Sequence, residues 1–187
     1  MQGASGGSLV DRMIGFARLD VRTIEDVEKD VNATGQALIV VVLAVVASAI
    51  GTLGGERGVV EAILLGAISA VLGWIVFSVI AYFVGSTLFA TAQTSVTIGQ
   101  TLRVVGFAQT PKLLAILGFI PVIGWVAWII AFIWFVVVAI VAIRQAFEFS
   151  TERAVGTAIV ALIVNVVVDL IIALIIGIPI WIMRSIT

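Results

Sequence analysis

The stretch that decides the fold is QTLRVVGFAQTPKLLAILGFIPVIGW, Gln100–Trp125. It lies among long apolar runs, but four polar side chains interrupt it: Arg103, Gln109, Thr110 and Lys112. Pro111 removes a backbone donor within the stretch, and Pro121 closes it. We therefore predict a segment at membrane depth whose helix is broken.

The composition of the whole chain indicates an integral membrane protein. Of its 187 residues, 62% are hydrophobic and 11% are charged, whereas soluble domains carry about 25% charged residues. The mean hydropathy is +1.29. There is no Cys and no His, which excludes thiolate nucleophiles, imidazole chemistry and the zinc sites built from these ligands. We assign no catalytic residue, metal or cofactor and do not expect an enzyme.

The apolar runs predict an all-α bundle of five transmembrane helices, because several of them are near the ~20 residues needed to cross a bilayer. The fifth, of about 30 residues, must tilt, protrude or kink. The predicted spans are roughly Ala37–Leu53, Ala62–Gly85, Leu102–Leu117, Val122–Ile143 and Ala154–Met183. The third span crosses only if Arg103 extends to one interface. If it dips in and returns, the chain has four spans and both termini share a side.

Residues 1–34 are predicted to form a cytoplasmic N-terminal segment ahead of the transmembrane domain, residues 35–187. Within it, Leu9–Arg22 is amphipathic, with an apolar face and four charged residues off that face: Asp11, Arg12, Arg18 and Arg22. Two compatible alternatives follow. The helix packs under the bundle, or it lies in the interface with its Arg side chains near anionic head groups.

An acidic cluster, Thr23–Asp30, follows the amphipathic stretch. We interpret it as a solvated helix face, since the ligand spacing of a calcium loop is missing. Thr23 is the expected N-cap of this short helix, and Thr34 the expected cap of the first span.

Small residues recur every four positions on the first two spans, a pattern that lets helices approach closely. The predicted packing residues are Ala47, Gly51, Gly55, Ala62, Gly66 and Ala70. They favour a close antiparallel hairpin of spans one and two, with a homodimer face as the alternative.

The candidate functional residues are polar groups at membrane depth, where an unpaired charge is costly. They are Arg103, Gln109, Lys112, Asn165 and Asp169. Asp169 falls in the middle of the fifth span. In a structural role, Asp169 is protonated, or it pairs with Lys112 or Gln109 and fixes the helix packing. In a functional role, it belongs to a proton or cation relay or to a polar cavity.

The distribution of basic residues predicts a cytoplasmic N-terminus and an external C-terminus. With five spans, seven basic residues fall inside: Arg12, Arg18, Arg22, Lys29, Arg103, Arg144 and Arg153. Two fall outside: Arg57 and Arg184.

Several short segments together resemble the Yip1-domain family, in particular its prokaryotic branch, over about residues 12–183. They are RVVGFAQTPKLL (Arg103–Leu114), IPVIGW (Ile120–Trp125), the Trp of AFIWFVVVAIVAIRQAF (Ala131–Phe147), STERA (Ser150–Ala154) and NATGQAL (Asn32–Leu38). The resemblance implies five transmembrane helices, a cytoplasmic N-terminus and, for that branch, the plasma membrane.

Eukaryotic members of that family act in vesicle trafficking and contact small Rab-type GTPases. They carry an Asp-Leu-Tyr-Gly-Pro motif that this sequence lacks; its single Tyr is Tyr82. We therefore do not expect a small GTPase as partner.

The leading functional hypothesis is a non-enzymatic membrane scaffold or accessory subunit. Its partners would be the lipid bilayer and itself or other integral membrane proteins, with no nucleic acid. The alternative is a component of a small-molecule or ion transporter or channel that uses the polar groups around Asp169 and Lys112. Against transport, five spans cannot form two equal halves, and no inverted repeat is visible.

Overall fold

A computed structural model describes the backbone of residues 7–52 and 59–186, and the side chains of these ranges except 59–62, 65, 169 and 172–186. The described chain consists of helices and their connections, of which residues 88–97 are the longest described, and contains no strand, which confirms the predicted all-α class. Its elements are α1 Leu9–Ala17, α2 Val21–Lys29, α3 Ala33–Gly51, α4 Val59–Thr87, α5 Ile98–Phe107, a 3-10 helix Thr110–Phe119, α6 Ile123–Ala146 and α7 Thr151–Ile186.

Five segments within the described ranges are long and apolar enough to cross a membrane, in the predicted order. They are Ala33–Gly51, Gly66–Thr87, Ile98–Phe119, Ile123–Ala146 and Thr151–Val168. The helix of the first span, α3, starts four residues earlier than predicted, at Ala33. Thr34 is therefore not its cap, and its hydroxyl donates to the Val31 carbonyl instead.

The broken segment runs alongside α3 over its whole length. At one end, a Cβ on Gly106 would lie 2.7 Å from the Cβ of Ala37. At the other end, Gly118 lies against the backbone of Gly51. At 1.5 Å per α-helical and about 2.0 Å per 3-10 residue, the two ten-residue helices extend about 35 Å together, enough for a ~30 Å hydrocarbon core. The segment therefore crosses the bundle and does not turn back.

The break itself differs from the prediction. We expected Pro111 to interrupt a helix from within, but α5 already ends at Phe107 and Pro111 occupies the first turn of the 3-10 helix. A missing N–H costs nothing there, because the first amides of a helix have no partner within it. Proline thus starts the second half of this span.

Three glycines let backbones touch where the broken segment ends. A Cβ on Gly51 would lie 2.0 Å from the carbonyl oxygen of Ala115, and one on Gly118 would lie 2.8 Å from the oxygen of Gly51. A Cβ on Gly124, at the start of α6, would meet the Gly118 oxygen at 2.5 Å. Gly51 therefore packs against the 3-10 helix, whereas we had placed it on the face toward span two.

The hairpin of α3 and α4 nevertheless forms, since the two helices pack together. Gly66 meets α3 at the side chain of Val45, 3.0 Å from the position of its missing Cβ. Ala47 is buried and Ala70 is half-buried. Gly55 and the side chain of Ala62 lie outside the described residues.

A strained turn joins the 3-10 helix to α6. Val122 has φ 68° and ψ −54°, and the Ile123 amide donates to the Pro121 carbonyl across it at 2.8 Å. These are the marks of the rare γ-turn with positive φ. A β-branched residue is disfavoured in this region because its Cβ crowds the backbone.

We expect Val122→Gly to stabilise the protein. Left-handed conformations cost an L-residue about 1–2 kcal/mol, and the loss of chain entropy for Gly offsets only part of this. The Val122 side chain is 78% exposed, so its removal costs little packing. The midpoint of thermal unfolding in detergent should rise, while Val126→Gly, exposed but inside α6, should lower it. A decrease with Val122→Gly would contradict the strain.

The N-terminal helices α1 and α2 pack against α5, α6 and the 3-10 helix. Phe16, Ile24 and Val27 are fully buried between the pair and the bundle. The cap of α2 is Asp20 and not Thr23, whose hydroxyl donates to the Asp20 carboxylate at 2.8 Å. We call α1 and α2 together the N-terminal helix pair.

Candidate functional site

Arg103 fastens the N-terminal helix pair to the third span. Its Nε donates to the carbonyl oxygens of Val27 at 3.1 Å and Glu28 at 3.0 Å, and its Nη2 also donates to the Glu28 oxygen. These carbonyls belong to the last turn of α2, which has no partners for them within the helix. Arg103 is only 6% exposed, because α2 covers it. Arg103 therefore caps a neighbouring helix, and its extension to the membrane interface stays a prediction.

Arg12 makes the second fastening, from α1. Its Nη2 lies 2.6 Å from the Asp30 carboxylate, and its Nη1 donates to the Gln36 side chain at 2.8 Å. We had placed Arg12 off the packed face of α1, yet it is buried, while Val10 and Ile14 of the predicted apolar face are exposed. The helix is thus rotated so that Arg12 is buried beside Phe16, while part of the predicted apolar face is exposed.

Three further hydrogen bonds hold the pair, one of them from the Gln145 side chain to the Glu25 carboxylate at 3.4 Å. Glu28 is 9% exposed and its carboxylate accepts from the Gln100 side chain at 2.7 Å, so this part of the acidic cluster is not a solvated face. The indole of Trp134, at the middle of α6, donates to the Ala17 carbonyl at 2.9 Å. The helix pair therefore packs under the bundle, and exposed Arg18 and Arg22 remain available to the interface.

Two carboxylates at the end of α2, buried Glu28 and half-buried Asp30 directly after the helix, have pKa values shifted in opposite directions. Burial raises the pKa of Glu28 above its ordinary value of 4.5, and this outweighs the hydrogen bond from Gln100. The hydrogen bond from Arg12 lowers the pKa of Asp30 below its ordinary value of 3.8. Ionised Glu28 thus opposes docking, whereas ionised Asp30 supports it.

Docking of the helix pair should therefore depend on pH in two phases. As pH falls through the raised pKa of Glu28 toward 4.5, docking tightens; below 3.8 it weakens, because Asp30 becomes protonated and its pair with Arg12 is lost. The chain has no Cys, so spin labels at Val10→Cys and Leu88→Cys measure the distance between α1 and the end of α4. As the pH is lowered from neutral, the distribution of distances between the two labels should first narrow and then, below 3.8, broaden.

Matched variants separate the two phases. Glu28→Gln should remove the narrowing and keep the broadening below 3.8, whereas Asp30→Asn should broaden the distribution already at neutral pH. A distribution in the parent protein that does not change between neutral pH and 4.5 would contradict the role of Glu28.

A cavity of about 200 Å³ lies beside the 3-10 helix, between α3 and α6. Lys112 and Gln109 line it together with Ser48, and the remaining walls are Ala, Val and aromatic side chains. The Lys112 ammonium lies 3.8 Å from the ring centroid of Phe135, a cation–π contact at the middle of α6. The structure thus brings two predicted polar residues, Gln109 and Lys112, into one site.

Of the other predicted polar residues, Arg103 and Asn165 do not line this cavity within the described part of the chain. Arg103 lies on α5 under the N-terminal helix pair. Asn165 is half-buried on α7, which packs on α4 and α6. The side chain of Asp169 lies outside the described residues, so its pairing with Lys112 or Gln109 stays a prediction.

A groove of about 500 Å³ lies between α3 and α4, near the C-terminal end of α3. Its lining combines small side chains with hydroxyl groups: Ser48, Ala49, Thr52, Gly66, Ser69 and Ala70, with Val45. Ser48 and Ser69 belong to candidate spans and are exposed. Gly66 and Ala70 of the predicted small-residue rows therefore line an open groove, and α3 does not fill the space beside them.

These features define a helical membrane protein of five candidate spans whose N-terminal helix pair is fastened to its third span. Over residues 20–182 the sequence matches the family model of the Yip1 domain. The match covers most of the 187 residues, so the chain belongs to the Yip1 family and the resemblance is confirmed. Neither curated proteins nor solved structures give a significant match.

Proposed function

We propose that this protein is a membrane scaffold or accessory subunit that binds another transmembrane helix in the groove between α3 and α4. The observation that carries the proposal is the lining of that groove. Small side chains let a helix backbone approach closely, and hydroxyl groups supply hydrogen bonds between helices in lipid.

The hydroxyl groups of the groove differ from those elsewhere on α4. Ser78 and Ser86 each donate to a carbonyl one turn back, at 2.7 Å. The hydroxyl groups of Ser48 and Ser69 make no hydrogen bond within the described part of the chain. Hydrocarbon offers no partner for such groups. A helix from a second copy or from another integral membrane protein would supply both the partner and the missing packing.

Site-specific crosslinking in native membranes tests this function. A photoreactive amino acid replaces Ser69 in the groove or, as control, Ile133, which is exposed on α6. We expect a discrete protein adduct from position 69 and lipid adducts from position 133, with the mass of the adduct distinguishing a second copy from another protein. Lipid adducts alone from both positions, with a monomer in mild detergent, would contradict a scaffold.

The direction of insertion belongs to the same proposal: the N-terminal helix pair is cytoplasmic and the C-terminus is external. The excess of basic residues on the N-terminal side supports it. A reporter that is active only in the cytoplasm should be silent when fused at Thr187 and active when fused at the N-terminus. Activity at Thr187 would reverse the assignment.

The cavity beside Lys112 supports a second candidate, a component of a transporter or channel. Broken helices at mid-membrane line substrate sites in known transport folds, and here the break places Lys112 and Gln109 in a cavity. A flux assay in proteoliposomes tests this candidate. Flux that is abolished by Lys112→Met would favour a transporter or channel component. If no flux is measured, the scaffold remains the proposed function.

A further inference from the structure

We propose that the cavity beside Lys112 binds the carboxylate of a single-chain membrane acid, such as a long-chain fatty acid. The proposal concerns occupancy of the cavity and does not require a partner helix, although the cavity and the groove share Val45, Ser48 and Ala70. It also holds whether or not the ligand is moved across the membrane.

The cavity calls for an anion. Lys112 lies two thirds of the way along the third span, and the ring of Phe135 is its described electrostatic partner. Within the described residues, Lys112 forms no ion pair; the two ion pairs found there are Arg12–Asp30 and Lys29–Glu25. A charge at this depth is costly unless it is paired. The amide of Gln109 on the same wall supplies an additional hydrogen-bond donor for a carboxylate oxygen.

The cavity also calls for an apolar chain. Beyond Lys112, Gln109 and Ser48, its lining is aliphatic or aromatic. Trp128 and Phe132 line it and are 59% and 46% exposed, so they belong to both the cavity wall and the lipid-facing surface of α6. A ligand can therefore place its head beside Lys112 while its chain leaves between these rings into the bilayer.

Size and depth favour a single-chain acid over a whole phospholipid. The volume of about 200 Å³ exceeds the ~150 Å³ cavity that holds one benzene, which leaves room for a carboxyl group and its first few methylene groups. A phospholipid phosphate sits at the interface, roughly 15 Å from the middle of the hydrocarbon core. It would have to carry its charge to that depth, whereas a carboxylic acid can enter the hydrocarbon as the neutral form.

Binding in nanodiscs of phosphatidylcholine tests the proposal. The full chain is titrated with palmitic acid that bears a photoreactive group near its carboxyl end, and with the methyl ester of the same compound. The crosslinked peptide should map to residues lining the cavity. We expect the acid to bind about tenfold more tightly than the ester, the scale of one charge-assisted hydrogen bond.

Three variants define the outcome. Lys112→Met should abolish the preference for the acid, Lys112→Arg should retain it, and Lys29→Met, which removes an exposed lysine, should leave it unchanged. Thermal unfolding of each variant shows whether it is folded. Equal binding of acid and ester by the parent protein, or an unchanged preference in folded Lys112→Met, would overturn the proposal.

The variant Asp169→Asn tests the alternative that Lys112 pairs with a carboxylate of the protein itself and not with a bound acid. If the carboxylate of Asp169 already pairs with Lys112, the parent protein should not select the acid, and selection should appear only in this variant. That result would overturn the proposal. Selection by both proteins would support it, and binding without flux in proteoliposomes would support it while rejecting transport.

Discussion

Gly51→Ala is expected to destabilise the protein by about 3 kcal/mol or more, which corresponds to a fall of roughly 10 °C in the midpoint of thermal unfolding in detergent. The added methyl group would lie 2.0 Å from the Ala115 carbonyl oxygen and 3.1 Å from the Gly118 amide nitrogen. Both are backbone atoms, so no side chain can rotate away. The third span would have to move off α3, and with it the strained turn before α6.

Gly35→Ala is the matched control, because it is the same substitution in the same helix. No atom lies within 4 Å of the position where its Cβ would stand. Replacing Gly by Ala in an unobstructed helix stabilises by roughly 0.5–1 kcal/mol, so the unfolding midpoint should hold or rise. If the two variants unfold alike, α3 and the 3-10 helix are not in backbone contact.

Arg103→Met is expected to release the N-terminal helix pair while leaving the bundle folded. The substitution leaves the carbonyl groups of Val27 and Glu28 buried without donors, at a cost of roughly 1–3 kcal/mol each. Amide hydrogen exchange in α2 should therefore accelerate about 30-fold or more. Exchange in α6 should be unchanged.

Two controls make this result specific. Arg18→Met removes an exposed guanidinium from the end of α1 and should not change exchange in α2. Arg103→Lys keeps the charge but replaces the planar fork with a single ammonium, so it should give an intermediate rate. Unchanged protection of α2 in Arg103→Met would show that apolar contacts alone hold the helix pair.

The bundle could be predicted from the sequence because its signals are local. Each span is a run of apolar residues of the right length, and the spans appear in the predicted order. A break near Pro111 could also be predicted, but its form could not, because α5 ends at Phe107 and Pro111 begins the next helix. That the second half becomes a ten-residue 3-10 helix was not visible, because this depends on its contacts with α3 and α6.

The roles of the arginines could not be predicted, because they depend on distant parts of the chain. A helical projection places Arg12 off the apolar face, and only Asp30 and Gln36 in space explain its burial. Arg103 was recognised as a polar residue at membrane depth, but its partners are backbone carbonyl groups, which carry no sequence signal. Trp134 likewise donates to a backbone oxygen that no pattern identifies.

The residues that line the cavity could be predicted only in part. Gln109 and Lys112 share it, as their spacing within one helical turn allows. Ser48 was missed because a single serine in an apolar run is unremarkable by itself. Its signal was the neighbouring small row Ala47–Gly51, which marks a face that another element covers.

The fastening of the N-terminal helix pair also imposes an order on biosynthesis. Its hydrogen bonds join residues far apart in the chain: Glu28 and Arg103 are separated by 75 positions, Ala17 and Trp134 by 117, and Glu25 and Gln145 by 120. At about 5–20 residues per second, the first helices leave the ribosome roughly 6–24 s before their last attachment point exists. Until then their apolar face has no place to dock. Nascent chains stalled before α6 should therefore display this face to chaperones.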